Sequence, residues 1–173
     1  MNSNRLAPVI VGAGARAAEG ARLPHGVMAP LITWKWKALS EPTGCRGAAV
    51  YAVRLLDRGA VVSIPRFLSI DAEGVLTIGM TTNLERRRRH FVRGYAKGRG
   101  HSAGNLLHFL SAIETFNLAF PERSYEISFR AVTDGGEARR LEAQVTKEYL
   151  ARFGEGPPLT SVIPDRYSQL RGG

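Results

Sequence analysis

Near position 82 the hydrophobic period of this chain changes from about two residues to about 3.6, and this change constrains the fold more than any other feature. Before it, Ala49-Val50-Tyr51-Ala52-Val53-Arg54-Leu55-Leu56, Val61-Val62-Ser63-Ile64, Arg66-Phe67-Leu68-Ser69-Ile70 and Val75-Leu76-Thr77-Ile78-Gly79 are short β-prone runs. Asp57-Arg58-Gly59, Pro65 and Asp71-Ala72-Glu73-Gly74 separate them. Strands joined by turns this tight pair antiparallel, because a parallel crossover needs a far longer connection. After the change, Thr82 or Asn83 can cap a helix running to about Gly94. A second helix, about Ala103–Phe116, carries Leu106, Leu107, Phe109, Leu110, Ile113 and Phe116 on a wide apolar stripe. Residues Tyr125 to Val132 return to period two. Asp134-Gly135-Gly136 then turns into a last helix, about Glu137–Arg152, with Leu141, Val145 and Tyr149 inward and Pro157-Pro158 beyond it. Strands, two helices, a strand and a helix predict an α+β fold, a small antiparallel sheet flanked by helices.

The 173 residues, 44% hydrophobic and 23% charged, suit one domain with a substantial core. No apolar run approaches the roughly 20 residues of a membrane-spanning helix, so a soluble chain without a membrane partner is expected. Cys45, the single cysteine, allows neither an internal disulfide nor a cysteine-built zinc cluster, and a reducing, cytoplasmic setting is the expectation. Pro8, Pro24, Pro30 and Pro42 break the Ala- and Gly-rich start, which reads as a flexible or loosely packed arm over residues 1–45, followed by a domain over 46–167 and a tail over 168–173. The Val9–Ala18 glycine stretch lacks the helix and second strand of a dinucleotide site, since Pro24 and Pro30 intervene. It also resembles an organelle transit peptide, with an unstructured arm the simpler reading. Trp34-Lys35-Trp36 can be an edge strand packed on the domain or a surface on which bases stack.

The net charge of +9 is concentrated: between Arg86 and Ala112 stand Arg86, Arg87, Arg88, Arg89, Arg93, Lys97 and Arg99 with no acid, which supplies +7 of it. Such a local field suits a polyanion, nucleic acid ahead of a membrane surface, or else a solvated helix face. At about 100° per residue, with Leu84 at zero, Phe91 falls near 340° and marks the buried face. Arg86, Arg89 and Arg93 then face water, while Arg87 and His90 fall on a flank beside the core. A guanidinium there can grip a phosphate with two parallel hydrogen bonds, or snorkel with its stem over Phe91.

Tyr51 lies on the first long strand, Gly79 ends the strand entering the basic helix, and Glu142 stands beside Leu141 on the last helix. This arrangement resembles the GIY-YIG nuclease superfamily over roughly residues 47–167. Ala49-Val50-Tyr51 takes the place of the first triplet and Thr77-Ile78-Gly79 that of the second, with Thr77 where the family has Tyr. Arg87, three residues after Leu84, corresponds to the family's catalytic arginine. His90 lies within one position of its histidine, and His101, in Gly100-His101-Ser102, matches a second histidine of some members. Glu142 falls where the metal ligand belongs, and Thr160 stands where the family has Asn.

The resemblance implies a metal-dependent endonuclease that hydrolyses DNA phosphodiester bonds, duplex or branched. Glu142 would hold one Mg²⁺ or Mn²⁺, Arg87 would stabilise charge gathering on the phosphate, and Tyr51 or His90 would orient or deprotonate the water. Arg86, Arg88, Arg89, Arg93, Lys97, Arg99 and His101 would bind nucleic acid. Standing alone, Tyr51 would read as a core residue and Glu142 as a surface partner of Arg139 or Arg140. Two other readings remain: a catalytically weak or inactive nucleic-acid-binding module on the same scaffold, and an RNA-associated structural protein using the basic helix with Trp34 and Trp36.

Overall fold

The computed structural model of the chain describes residues 29–160. Its longest strand, β2 (Ala49–Asp57), is apolar at almost every position because both of its faces are covered. It is flanked antiparallel by β6 (Val75–Thr81) and by β7 (Arg123–Ala131). β1 (Trp36–Ala38) adds to the far side of β7, and β3 (Ala60–Val61) continues past β6 along the same side of β2. The long step between the two triplet strands holds β3 and a separate two-stranded ribbon, β4 (Ile64–Pro65) with β5 (Ile70–Asp71).

Helices cover the two faces of the sheet. α1 (Leu84–Lys97) and α2 (Ser102–Ser111) pack Leu84, Phe91, Ala103 and Leu107 against Ala49, Tyr51, Val53 and Leu55. On the other face, α4 (Gly135–Phe153) packs Ala138, Val145, Tyr149 and Phe153 against Val50, Ala52, Val75 and Ile78. The α+β class read from the sequence is the fold observed. Asn83 caps α1, its side chain accepting from the Arg86 amide at 2.9 Å. Asp134 caps α4 in the same way, accepting from the Glu137 amide at 2.8 Å.

Several expectations are corrected. The later part of the 1–45 arm is packed: β1 pairs with β7, and Ile32 and Leu39 are buried, because three backbone partners on the edge of β7 outweigh the prolines nearby. Residues 1–28, with the Val9–Ala18 stretch, and residues 161–173 lie outside the described residues. α1 continues past Gly94 to Lys97 and stops at Gly98, which takes the left-handed conformation at φ 65°. The second helix breaks at Ala112, and α3 (Glu114–Ala119) follows, with the Asn117 side chain donating to the Ser111 carbonyl at 3.0 Å. Leu106, Phe109 and Ile113 of the expected apolar stripe are exposed. Trp34 and Trp36 pack partly buried on the α4-side core, and the Arg54 guanidinium lies 4.3 Å from the centre of a Trp36 ring, occupying a face a base would need.

The turn after β5 is a further structural anchor. Asp71, fully buried, accepts from the amides of Glu73, Gly74 and Val75 and from the Tyr149 hydroxyl at 2.9 Å. It thereby joins the start of β6 to the end of α4, and burial together with the Asp71 charge pushes the Tyr149 phenol up.

Candidate active site

Antiparallel register sets Tyr51 opposite Gly79 on β6 and Phe129 on β7, with its side chain on the α1/α2 face. Its ring lies directly over Gly79: a Cβ there would stand 2.7 Å from the Tyr51 Oη and 2.9 Å from Cζ. Thr77, two residues back along β6 and opposite Val53, is buried in the same sheet. The Tyr51 hydroxyl is 2.9 Å from His101 Nε2 in a buried hydrogen bond. Burial pushes the Tyr51 phenol up to about 12; the Arg87 charge opposes that shift and the Glu142 charge adds to it.

His101 occupies the cap position before α2 and is buried, its ring 4.7 Å from that of Phe91. α2 can approach α1 this closely because a Cβ on Gly104 would fall 2.5 Å from the Phe91 carbonyl oxygen. Burial pushes the imidazole down to about 4, with the positive fields of Arg87 and His90 adding to the effect. The resemblance implied that His101 binds nucleic acid; the structure buries it in a hydrogen bond with Tyr51. The local signal was the density of glycines, Gly94, Gly98, Gly100 and Gly104, which let two helices and a side chain crowd together.

Arg87 and His90 are half-buried on the flank of α1, as the helical angles require, and Arg86, Arg89 and Arg93 are exposed. Arg88 is not a nucleic-acid contact. It is buried, forms an ion pair with Glu85 at 2.7 Å, and donates to the carbonyls of Leu39 and Ser40 at 3.0 and 3.1 Å. Hydrogen bonds from the Arg88 side chain, with further bonds from Thr43, hold the Glu85 carboxyl down at about 2. At about 40° on the same helical wheel, Arg88 sits beside Leu84, and Glu85 one turn earlier supplies the countercharge.

Glu142 is buried on α4, and its charge acts on Tyr51 although the two belong to helices and strands packed on opposite sides of the sheet. β6 pairs with β2, and among the described residues no further strand pairs with its outer side over the Gly79 stretch. The segment after α4 passes there, with the Leu159 amide donating to the Leu76 carbonyl at 2.8 Å. Thr160 is therefore beside β6, but no hydrogen bond ties its side chain to the Tyr51 cluster among the described residues. Among those residues no three His, Cys, Asp or Glu side chains gather into a protein-built cage. A single carboxylate fits a hard cation that completes its shell with water and phosphate oxygens, and does not fit structural zinc.

Arg93, Lys97 and Arg99 line one open pocket with Gly100, and Arg89 lines another with Arg46, Asn83 and Glu85. Arg46, between β1 and β2, was not anticipated; it stands outside the basic run that carried the charge argument. Among the described residues no helix is long and apolar enough to cross a membrane. No protein-family profile, curated protein or solved structure matches the chain.

Proposed function

We propose that the protein is a metal-dependent endonuclease of GIY-YIG type that hydrolyses DNA phosphodiester bonds. The observation that carries this reading is the Tyr51 hydroxyl, on which a bonded His101, the Arg87 charge and the Glu142 charge all act. A phenol, a guanidinium and a buried carboxylate from three separate stretches of chain are the groups an in-line attack on a phosphate requires.

Arg87, half-buried on the flank of α1, grips the scissile phosphate and stabilises the charge that gathers on it. With its phenol pushed up to about 12, Tyr51 is protonated at neutral pH and does not work as a preformed phenolate. It accepts the proton of the attacking water as its own proton passes to Nε2 of neutral His101, 2.9 Å away. Burial is what chiefly lowers His101, and a phosphate on Arg87 offsets only the smaller contribution of the Arg87 charge. Glu142 would hold Mg²⁺ or Mn²⁺, which when bound would supply positive charge to stabilise the departing oxygen.

The test is cleavage of supercoiled plasmid and branched duplexes in Mg²⁺ or Mn²⁺ by the wild type, Arg87→Ala and Glu142→Gln. Nicking that falls about 10²–10³-fold in each variant supports the reading. Wild-type inactivity on duplex, branched and single-stranded DNA, combined with steeply salt-dependent binding, would instead favour the turnover-deficient module, for which the buried Thr77 in place of tyrosine and Thr160 in place of asparagine are the motivating residues.

A further inference from the structure

Three arginines that are buried or half-buried are each held by an acid: Arg54 meets Glu126 at 2.6 Å, Arg66 meets Glu155 at 3.2 Å and Arg88 meets Glu85 at 2.7 Å. Arg93, Lys97 and Arg99 differ. All three are exposed, all three line one open pocket with Gly100, and among the described residues no carboxylate forms an ion pair with any of them. The dipole at the end of α1 favours Lys97 in its last turn but not Arg93, a turn earlier. Like charges gathered in one concavity repel unless an anion joins them.

The floor of the pocket is also tied to the Tyr51 cluster. Gly100 has φ 121°, a conformation that side-chain-bearing residues rarely adopt, and a Cβ on it would stand 3.2 Å from the His90 carbonyl oxygen. The next residue is His101, whose Nε2 bonds Tyr51. We infer that Arg93, Lys97 and Arg99 form a second phosphate site, which takes a phosphate of the bound strand away from the scissile one, and that its occupancy sets the Gly98–Arg99–Gly100 loop and with it the seat of His101. This deepens the nuclease reading, on which it rests only for the strand that supplies the phosphate.

The experiment follows backbone amide resonances of the full chain during titration, without metal, with inorganic phosphate and then with a short duplex carrying or lacking a 5′-phosphate. Wild type and Lys147→Gln, an exposed cation of α4 outside the pocket, are expected to show saturable shifts at Gly98, Gly100 and His101. In an Arg93→Gln/Arg99→Gln double variant the affinity is expected to fall at least tenfold. Equal duplex affinity with and without the 5′-phosphate assigns an internal phosphodiester, and a gain confined to the phosphorylated duplex assigns a terminal phosphate; either supports the site. Equal affinity in all three proteins, or shifts that leave Gly100 and His101 unmoved, overturns it. Because no cleavage is measured, a chain that binds phosphate here and never cuts DNA sustains this site while removing the nuclease reading.

Discussion

Gly79 lies beneath the ring of Tyr51, so close that a methyl group added at this glycine would come within 2.7 Å of the phenol oxygen. The backbone of β6 tolerates alanine; the space does not. Gly79→Ala is expected to displace the hydroxyl from His101, lower cleavage about a hundredfold and cost about 1–3 kcal/mol by overpacking. Cleavage rates and thermal unfolding measured together check this, and wild-type activity in the variant would show that the hydroxyl position does not matter.

His101 gives a pH signature. Its folded imidazole is held at about 4, below the ordinary 6.5, so between these values the unfolded chain binds the extra proton. Its contribution to stability is full above about 6.5 and is lost as pH falls toward about 4, a change of up to about 3 kcal/mol. Denaturant titrations across this window are expected to show a shallower decline in His101→Asn than in the wild type. Glu85, held at about 2, loses its contribution in the lower window between about 4.5 and 2, which keeps the two effects apart.

The four consecutive arginines separate by role. Arg88→Ala removes the donor to two carbonyls and to Glu85 and is expected to cost about 2–3 kcal/mol while leaving the salt dependence of DNA binding unchanged. Arg89→Ala, exposed, is expected to leave stability within about 0.5 kcal/mol and to reduce the salt slope on duplex DNA by about 0.9. Unfolding curves and anisotropy at several salt concentrations distinguish them, and the opposite assignment would return Arg88 to the DNA-binding face.

Asp71 is the buried anchor between β6 and α4. Asp71→Ala leaves three backbone amides and the Tyr149 hydroxyl without their acceptor and is expected to cost about 3–4 kcal/mol, against about 1–2 for Tyr149→Phe. Urea unfolding of both variants tests the order; equal costs would mean that the amides find water instead.

Periodicity made most of the fold readable. The long strands β2, β6 and β7 and the helices α1 and α4 carry enough residues for their periods to stand out. β1 does not, since three residues hold no period and its placement depends on the edge of a strand some ninety positions later. The second helix misled because an apolar stripe records what could be buried, and the Asn117 bond to Ser111 breaks the helix before Ile113. Among the candidate site residues, Tyr51, Gly79, Arg87 and Glu142 are legible from the order of motif and element. His101 could not be assigned correctly, because its burial depends on how closely α2 approaches α1 over Gly104, which is a tertiary fact. Nor could the arginine run show by charge that one of its members is structural; the helical angle and Glu85 could.

A double-mutant cycle on single-turnover cleavage in Mn²⁺ tests whether Tyr51 and Glu142 act within one phosphodiester-cutting site. Tyr51→Phe and Glu142→Gln are each expected to slow cleavage by about 10²-fold or more, and the double variant to be no slower than about the worse of the two, because groups acting as a unit are not additive. Losses that multiply, or single variants that cut at the wild-type rate, would contradict a shared site.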